Sequence, residues 1–146
     1  MTEQPPTAQH PPATQQASAA ERPLAALYLF NGDDSLKQET LVERLKQRIA
    51  ALGDVTMNTQ VFFTKDIANP AMLLDALNTM PFGSPKRLVV IKEAQTLSKT
   101  LQDALITYMK QPSETTVLAL SAKFPSNSRV LKAVQGYSRQ SVVDCG

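Results

Sequence analysis

The sequence predicts an α/β fold, a mainly parallel five-stranded sheet with helices on both faces, on three observations. Short runs rich in Val, Leu and Phe alternate with longer stretches that carry helical periodicity. The short runs are continuously apolar, as strands buried on both faces are. Glycine, proline and asparagine signals fall between the two kinds of segment. Right-handed crossovers turn such an alternation into a doubly wound layout. With 146 residues, 42% of them hydrophobic, the chain has room for one domain with a real core.

The elements follow in order. Leu24 to Phe30 is the first strand, and Ser35 opens a helix running to Leu52. Ser35 and Gln38 have the S-x-x-Q spacing of a capping box. Leu41, Leu45, Ile49 and Leu52 form the expected apolar face of that helix, and Gly53 stands at its C-terminal stop. Val61 to Phe63 is the second strand. Asn69 and Pro70 start the next helix as N-cap and first residue, with Met72 or Leu73, Ala76, Leu77 and Met80 facing inward. Arg87 to Glu93 is the third strand. Leu97, Leu101, Leu105, Tyr108 and Met109 then mark a helix over Leu97 to Lys110. Thr115 to Ala122 is the fourth strand, Ser128 to Val134 a short helix, and Gln140 to Cys145 the fifth strand. The end of the chain so soon after this strand leads us to expect further domains in the parent protein.

The turn "NGDDSLKQE" lies where a nucleotide-binding protein keeps its phosphate loop. A working loop reads G-x-x-x-x-G-K-[ST], with glycines that free backbone N–H groups, a lysine for the phosphates and a hydroxyl for magnesium. Counted from Gly32, those last three places hold Lys37, Gln38 and Glu39. Shifting the frame to use Lys37 as the lysine replaces both glycines, by Asn31 and Leu36. Asp33 and Asp34 also stand at the helix start and would repel a polyphosphate. Gly32, Asp33, Asp34 and Lys37 are therefore read as a degenerate phosphate loop with a structural role.

Composition removes several function classes. His10 is the only histidine and Cys145 the only cysteine, so histidine-based triads, intrachain disulfides and multi-cysteine metal sites are excluded, and no catalytic residue, metal or cofactor is expected. Residues 1–22 are rich in Pro, Gln and Ala and hold no large aliphatic residue between Met1 and Arg22; we expect a disordered tail, with residues 23–146 forming the domain. The tail has neither the charge and apolar pattern of a secretory signal nor the arginines of a mitochondrial one. No apolar run approaches the ~20 residues that span a bilayer, so a soluble, cytoplasmic protein without a membrane partner is expected. The net charge of +2 hides a basic second half: Lys86 to Gly146 has nine basic residues against four acidic ones. They are scattered, without interleaved aromatics, so solvated surface is weighed against contact with DNA or an acidic partner.

The run "TMPFGSPKRLVVIKE" fits a plain core least well. Pro81 stops the preceding helix, and Gly83 and Pro85 favour a tight turn, which leaves Phe82 on a connection. From the residues alone two readings stay open: Phe82 tucks under the loop, or Met80, Pro81 and Phe82 form an apolar tip for a partner.

The ordered set "LYLFNGDDSLKQE", "LLDALNTMPFGSPKRLVVIKEA", "TTVLALSAK", "SRVLKAV" and "VVDC" resembles the N-terminal domain of the delta subunit of bacterial DNA polymerase III, part of the sliding-clamp loader. The resemblance runs from Leu24 to Gly146 and implies an AAA+ type domain, related to P-loop enzymes, with a degenerate nucleotide loop. In the strand "LVVIKE", Lys92 stands in the aspartate place of a working ATPase and Glu93 alone remains. The resemblance also implies a non-catalytic role in DNA replication, in which a hydrophobic tip binds the sliding clamp (the beta subunit) and helps open it; the matching positions are Met80, Pro81 and Phe82, with Pro81 where some relatives have leucine. The resemblance further implies that the full-length protein carries a lid domain and a collar domain through which it assembles with the other clamp-loader subunits. This chain, with neither in view, is expected to assemble poorly with them, and DNA is met indirectly through the loader. The related delta-prime subunit would need a zinc-binding cysteine set and a Ser-Arg-Cys motif, which one cysteine does not supply. Two rivals from other classes are a weak or cryptic nucleoside-triphosphatase using Lys37 and a basic DNA-binding module.

Overall fold

Five strands hydrogen-bond side by side, every one parallel to its neighbours, in the computed structural model, which describes residues 23–146. They are β1 (Leu27–Asn31), β2 (Thr59–Phe63), β3 (Arg87–Lys92), β4 (Thr116–Ala122) and β5 (Val142–Asp144), in the spatial order β2-β3-β4-β1-β5. The helices are α1 (Ser35–Ala50), α2 (Pro70–Leu77), α3 (Lys99–Met109) and α4 (Arg129–Tyr137). Single turns of 3-10 helix at Thr64–Asp66, Ala94–Thr96 and Arg139–Ser141 were not legible in the pattern of the sequence. The tail read as disordered, residues 1–22, lies outside the described residues.

Strand order dictates how the helices divide. From β1 the chain travels to β2 at one edge, then steps back through β3 and β4, and finally passes β1 to reach β5. A right-handed crossover uses one face of the sheet when it moves one way and the opposite face when it returns. Only α1 moves in the first direction, so it lies alone on its face, while α2, α3 and α4 share the other.

The core follows the pleat. Leu88 and Val90 of β3 pack towards Val42, Leu45 and Ile49 of α1, whereas Val89 and Ile91 pack with Leu73, Leu77, Leu101 and Leu105 of the three-helix layer. Strand β4 is buried along its whole length. Edge strand β2 is the least buried of the long strands, with Val61 and Phe63 exposed and Phe62 turned inward.

Three local expectations change. The N-cap of α1 is Asp34, whose Oδ1 accepts from the Lys37 amide at 3.0 Å, and Ser35 is the first helical residue. The buried stripe of α1 is Gln38, Val42, Leu45 and Ile49, while Leu41 is half-buried and Leu52 is exposed beyond the helix end. The helix is turned so that Gln38 faces the sheet, a rotation that apolar spacing alone does not reveal. Met72 and Met80 are likewise exposed, leaving Leu73, Ala76 and Leu77 as the inner face of α2.

Asn69 caps α2 as expected, its Oδ1 accepting from the Met72 amide at 2.9 Å. The other end of α2 is held by β3 and β4: the buried Arg87 guanidinium donates to the Ala76 carbonyl and, at 3.2 Å, to Gln60 Oε1, and the Thr116 hydroxyl donates to the Leu77 carbonyl at 2.9 Å. Burial pulls the Arg87 pKa below its ordinary value, and the guanidinium remains charged beside the negative end of the helix dipole. Replacing Arg87 by leucine leaves a buried carbonyl without its donor. Urea unfolding of Arg87→Leu is expected to show a loss of about 1–3 kcal/mol.

Candidate functional site

Parallel strands give the sheet two unlike rims. At the carboxyl rim, where β1, β3 and β4 end, lies a crevice of about 530 Å3 lined by Gln38, Glu39, Lys92, Glu93, Ser121 and Lys123. It adjoins the point where the connections from β1 and β4 leave in opposite directions, the usual ligand position of an open α/β sheet.

The chain itself occupies the groups that a nucleotide would need. Gly32, Asp33 and Asp34 alone join β1 to α1, too short a link to wrap phosphates. Gly32 has φ +144°, and a Cβ there would collide with the Cys145 carbonyl group. The Asp34 amide donates to the Cys145 carbonyl at 2.6 Å, and the Gly32 amide to the Ala122 carbonyl at 2.9 Å. Lys37 turns away, its Nζ 2.7 Å from the Asp144 carbonyl. Lys92 pairs with Glu39 at 2.9 Å and lies 5.7 Å from the centre of the Phe63 ring, and Lys123 approaches Asp33 at 3.6 Å.

Gln38 completes this closure. Its Nε2, with two hydrogens shared among three acceptors, lies 2.9 Å from the Phe30 carbonyl, 3.0 Å from that of Ala122 and 3.2 Å from that of Gly32, tying the ends of β1 and β4 to α1. The capping-box spacing singled out this residue for a different reason; its role depends on carbonyls as distant in sequence as Ala122. Gln38→Leu is expected to cost about 1–3 kcal/mol, by removing the buried donor that joins α1 to these carbonyls, when measured by chemical denaturation. Glu93 has φ 55°, the left-handed region, and its carbonyl accepts from the Thr96 amide and hydroxyl at 3.0 and 2.8 Å. Here the backbone conformation starts the Ala94–Thr96 turn. Relief of the Cβ strain makes Glu93→Gly the more stable protein by up to about 1 kcal/mol in thermal unfolding.

The amino rim carries the second candidate. Between α2 and β3, Met80 is 71% and Phe82 67% exposed, with Pro81 half-buried. Phe82 thus faces outward and does not tuck under the loop. Gly83 takes φ +62° and turns the chain, and the Ser84 hydroxyl donates to the Lys86 carbonyl at 2.8 Å. Beneath the tip lies Asn58, a fully buried residue that the sequence reading passed over. Its Oδ1 accepts from the Phe82 amide at 2.6 Å, and its Nδ2 donates to the Phe82 carbonyl at 2.8 Å and the Asp54 carbonyl at 2.9 Å. Gly53 is needed for proximity rather than for helix termination: a Cβ there would stand 2.7 Å from the Gly83 carbonyl oxygen. A polar residue just ahead of a strand was the only signal for Asn58, and it is a weak one.

The all-parallel sheet, its strand order and the crevice at its carboxyl rim make an AAA+/P-loop-like fold, in which the phosphate loop is reduced to a three-residue link. The chain belongs to the family described as DNA polymerase III, delta subunit, whose family model matches residues 28–145. No curated protein sequence matches it. Among solved structures it is similar to the Bacillus subtilis DNA clamp loader delta protein (YqeN), with a TM-score of 0.73 and 19% identity over 90% of this chain and 41% of that one. A DNA polymerase III gamma subunit-related protein of Thermotoga maritima gives a TM-score of 0.58 at 14% identity, covering 90% of this chain and 44% of that one. The Thermotoga maritima RuvB Holliday junction branch migration motor gives 0.56 at 13% identity, covering 97% and 45%. This chain thus spans less than half the length of each of these structures, and at such identities the likeness is one of fold.

Proposed function

We propose that residues 23–146 form a non-catalytic clamp-loader domain that binds the sliding clamp through Met80, Pro81 and Phe82 and helps to open it for loading onto DNA. The observation that carries this reading is the outward Phe82, an aromatic side chain left in water on a connection whose backbone is held from below. Burying such a ring in an apolar pocket of a partner recovers the hydrophobic free energy that the fold leaves unused. Opening requires no bond chemistry from this domain. If the pocket fits the tip better when a clamp interface is distorted, binding shifts the closed-to-open equilibrium by that difference in affinity. Nucleotide hydrolysis then belongs to other loader subunits, and DNA is reached through the assembled loader. The excess of basic residues after Lys86 adds electrostatic steering towards an acidic clamp surface.

The nucleoside-triphosphatase reading is disfavoured by the same geometry. Its candidate lysine, Lys37, is engaged at the Asp144 carbonyl, and Glu39 and Asp33 neutralise the two lysines nearest the crevice. Direct DNA binding by the basic half would be recognised by a steep salt dependence.

Binding of the chain to the sliding clamp of its own organism, measured by calorimetry for wild type and Phe82→Ala, tests the proposal. With both proteins folded by circular dichroism, the variant is expected to lose about 2 kcal/mol or more, as an anchor residue does. Equal binding by the two, or none by either, removes the tip from the mechanism.

A further inference from the structure

Phe82 is exposed, but its backbone is not free, and the means by which it is held assigns a task to Asn58. The Asn58 carboxamide grips both main-chain groups of the same residue, accepting from the Phe82 N–H at 2.6 Å and donating to the Phe82 C=O at 2.8 Å. This is how one residue of a β ladder is held by its neighbour, here supplied by a side chain. With N–H and C=O both engaged, the peptide planes on either side of Phe82 are fixed, and with them the direction of its Cα–Cβ bond. The ring is thereby aimed before any partner arrives.

The grip is itself anchored. The second Nδ2 hydrogen of Asn58 goes to the Asp54 carbonyl at 2.9 Å, and the Asn58 carbonyl accepts from the Leu88 amide at 2.8 Å, inside β3. Asn58 is fully buried, so these groups have no water to compete with. A hydrogen-bonded path therefore runs from the central sheet, through Asn58, to the tip. Gly53 contributes from the same connection by leaving room for Gly83 and Ser84 to lie against it.

We propose that Asn58 is the positioning residue of the apolar tip: it pre-orders Phe82 in the orientation in which the partner takes it up, so that docking does not have to freeze the connection. The proposal rests on the reading of Met80, Pro81 and Phe82 as the clamp-binding element. Its physical content is entropic. Ordering an exposed connection on binding costs part of the interface energy, and a connection ordered in advance avoids that cost. Only asparagine suits the place among near isosteres, since aspartate would bring no donors and would set a carboxylate against the carbonyl oxygens of Phe82 and Asp54.

The test compares wild type, Asn58→Ala, Phe82→Ala and the double variant by clamp affinity, with amide hydrogen exchange followed in each free protein. In wild type the Phe82 amide is expected to exchange at least tenfold more slowly than the unstructured-peptide rate, despite its place on a surface connection. In Asn58→Ala that protection is lost while the amides of Leu88 to Ile91 keep theirs, and clamp affinity falls tenfold or more. In the Phe82→Ala background the same Asn58→Ala change costs less than threefold, because there is no ring left to aim; a merely structural role would give the same loss in both backgrounds. Loss of protection at Phe82 with unchanged affinity, alongside a weakened Phe82→Ala, overturns the positioning role and leaves the tip as the binding element. Unchanged affinity in Phe82→Ala overturns the tip itself and the role of Asn58 with it. Should Asn58→Ala not fold, exchange of the Phe82 amide in wild type decides: slow exchange supports the grip, and exchange at the unstructured-peptide rate overturns it.

Discussion

Every strand of this sheet runs the same way, and that one constraint organises the molecule. A parallel sheet obliges the chain to leave each strand at the carboxyl rim and to enter the next at the amino rim. Exits and entrances are thus sorted to opposite ends. Exits from β1, β3 and β4 surround the crevice, while the entrance to β3 carries the apolar tip. The same rule, combined with the hand of the crossovers, leaves α1 alone on one face, where its Gln38 reaches the ends of β1 and β4.

At each rim a buried carboxamide does what helix and strand ladders do not. Gln38 gathers three carbonyls at the carboxyl rim, and Asn58 holds one residue by both its polar groups at the amino rim. A carboxamide suits such places because it offers donors and an acceptor without net charge, so satisfying the backbone does not require burying an ion. The consequences differ. Gln38 makes a site of the P-loop type into a structural joint, whereas Asn58 gives an exposed connection a defined backbone.

Much of the fold was legible in the residues. Continuous apolar runs located the five strands, and the Asn69-Pro70 pair located the start of α2, because both signals are local. The failure of the phosphate-loop motif at Gly32 to Glu39 was readable for the same reason. What escaped depends on neighbours that only the fold supplies. The α1 stripe uses Val42 rather than Leu41 because Gln38 must reach Phe30 and Ala122, and composition could not tell whether Phe82 faced water or core. Asn58 carried only a weak signal because its partner is Phe82, on the connection beyond β2 and α2. Strand order, and with it the division of one helix against three, likewise does not follow from periodicity.

The position of β3 has a mechanical meaning. Four residues separate this strand from the tip; it ends at the crevice and has parallel partners on both sides, β2 along Leu88–Lys92 and β4 along Arg87–Ile91. A pull directed along the β3 axis would load the two adjoining ladders in shear, with their hydrogen bonds sharing it instead of being peeled one by one. Six residues of strand span about 20 Å, so such a load would be carried from the amino rim to the crevice within the sheet. Force generated elsewhere in an assembly would reach the tip with little lost to deformation of the domain that carries it.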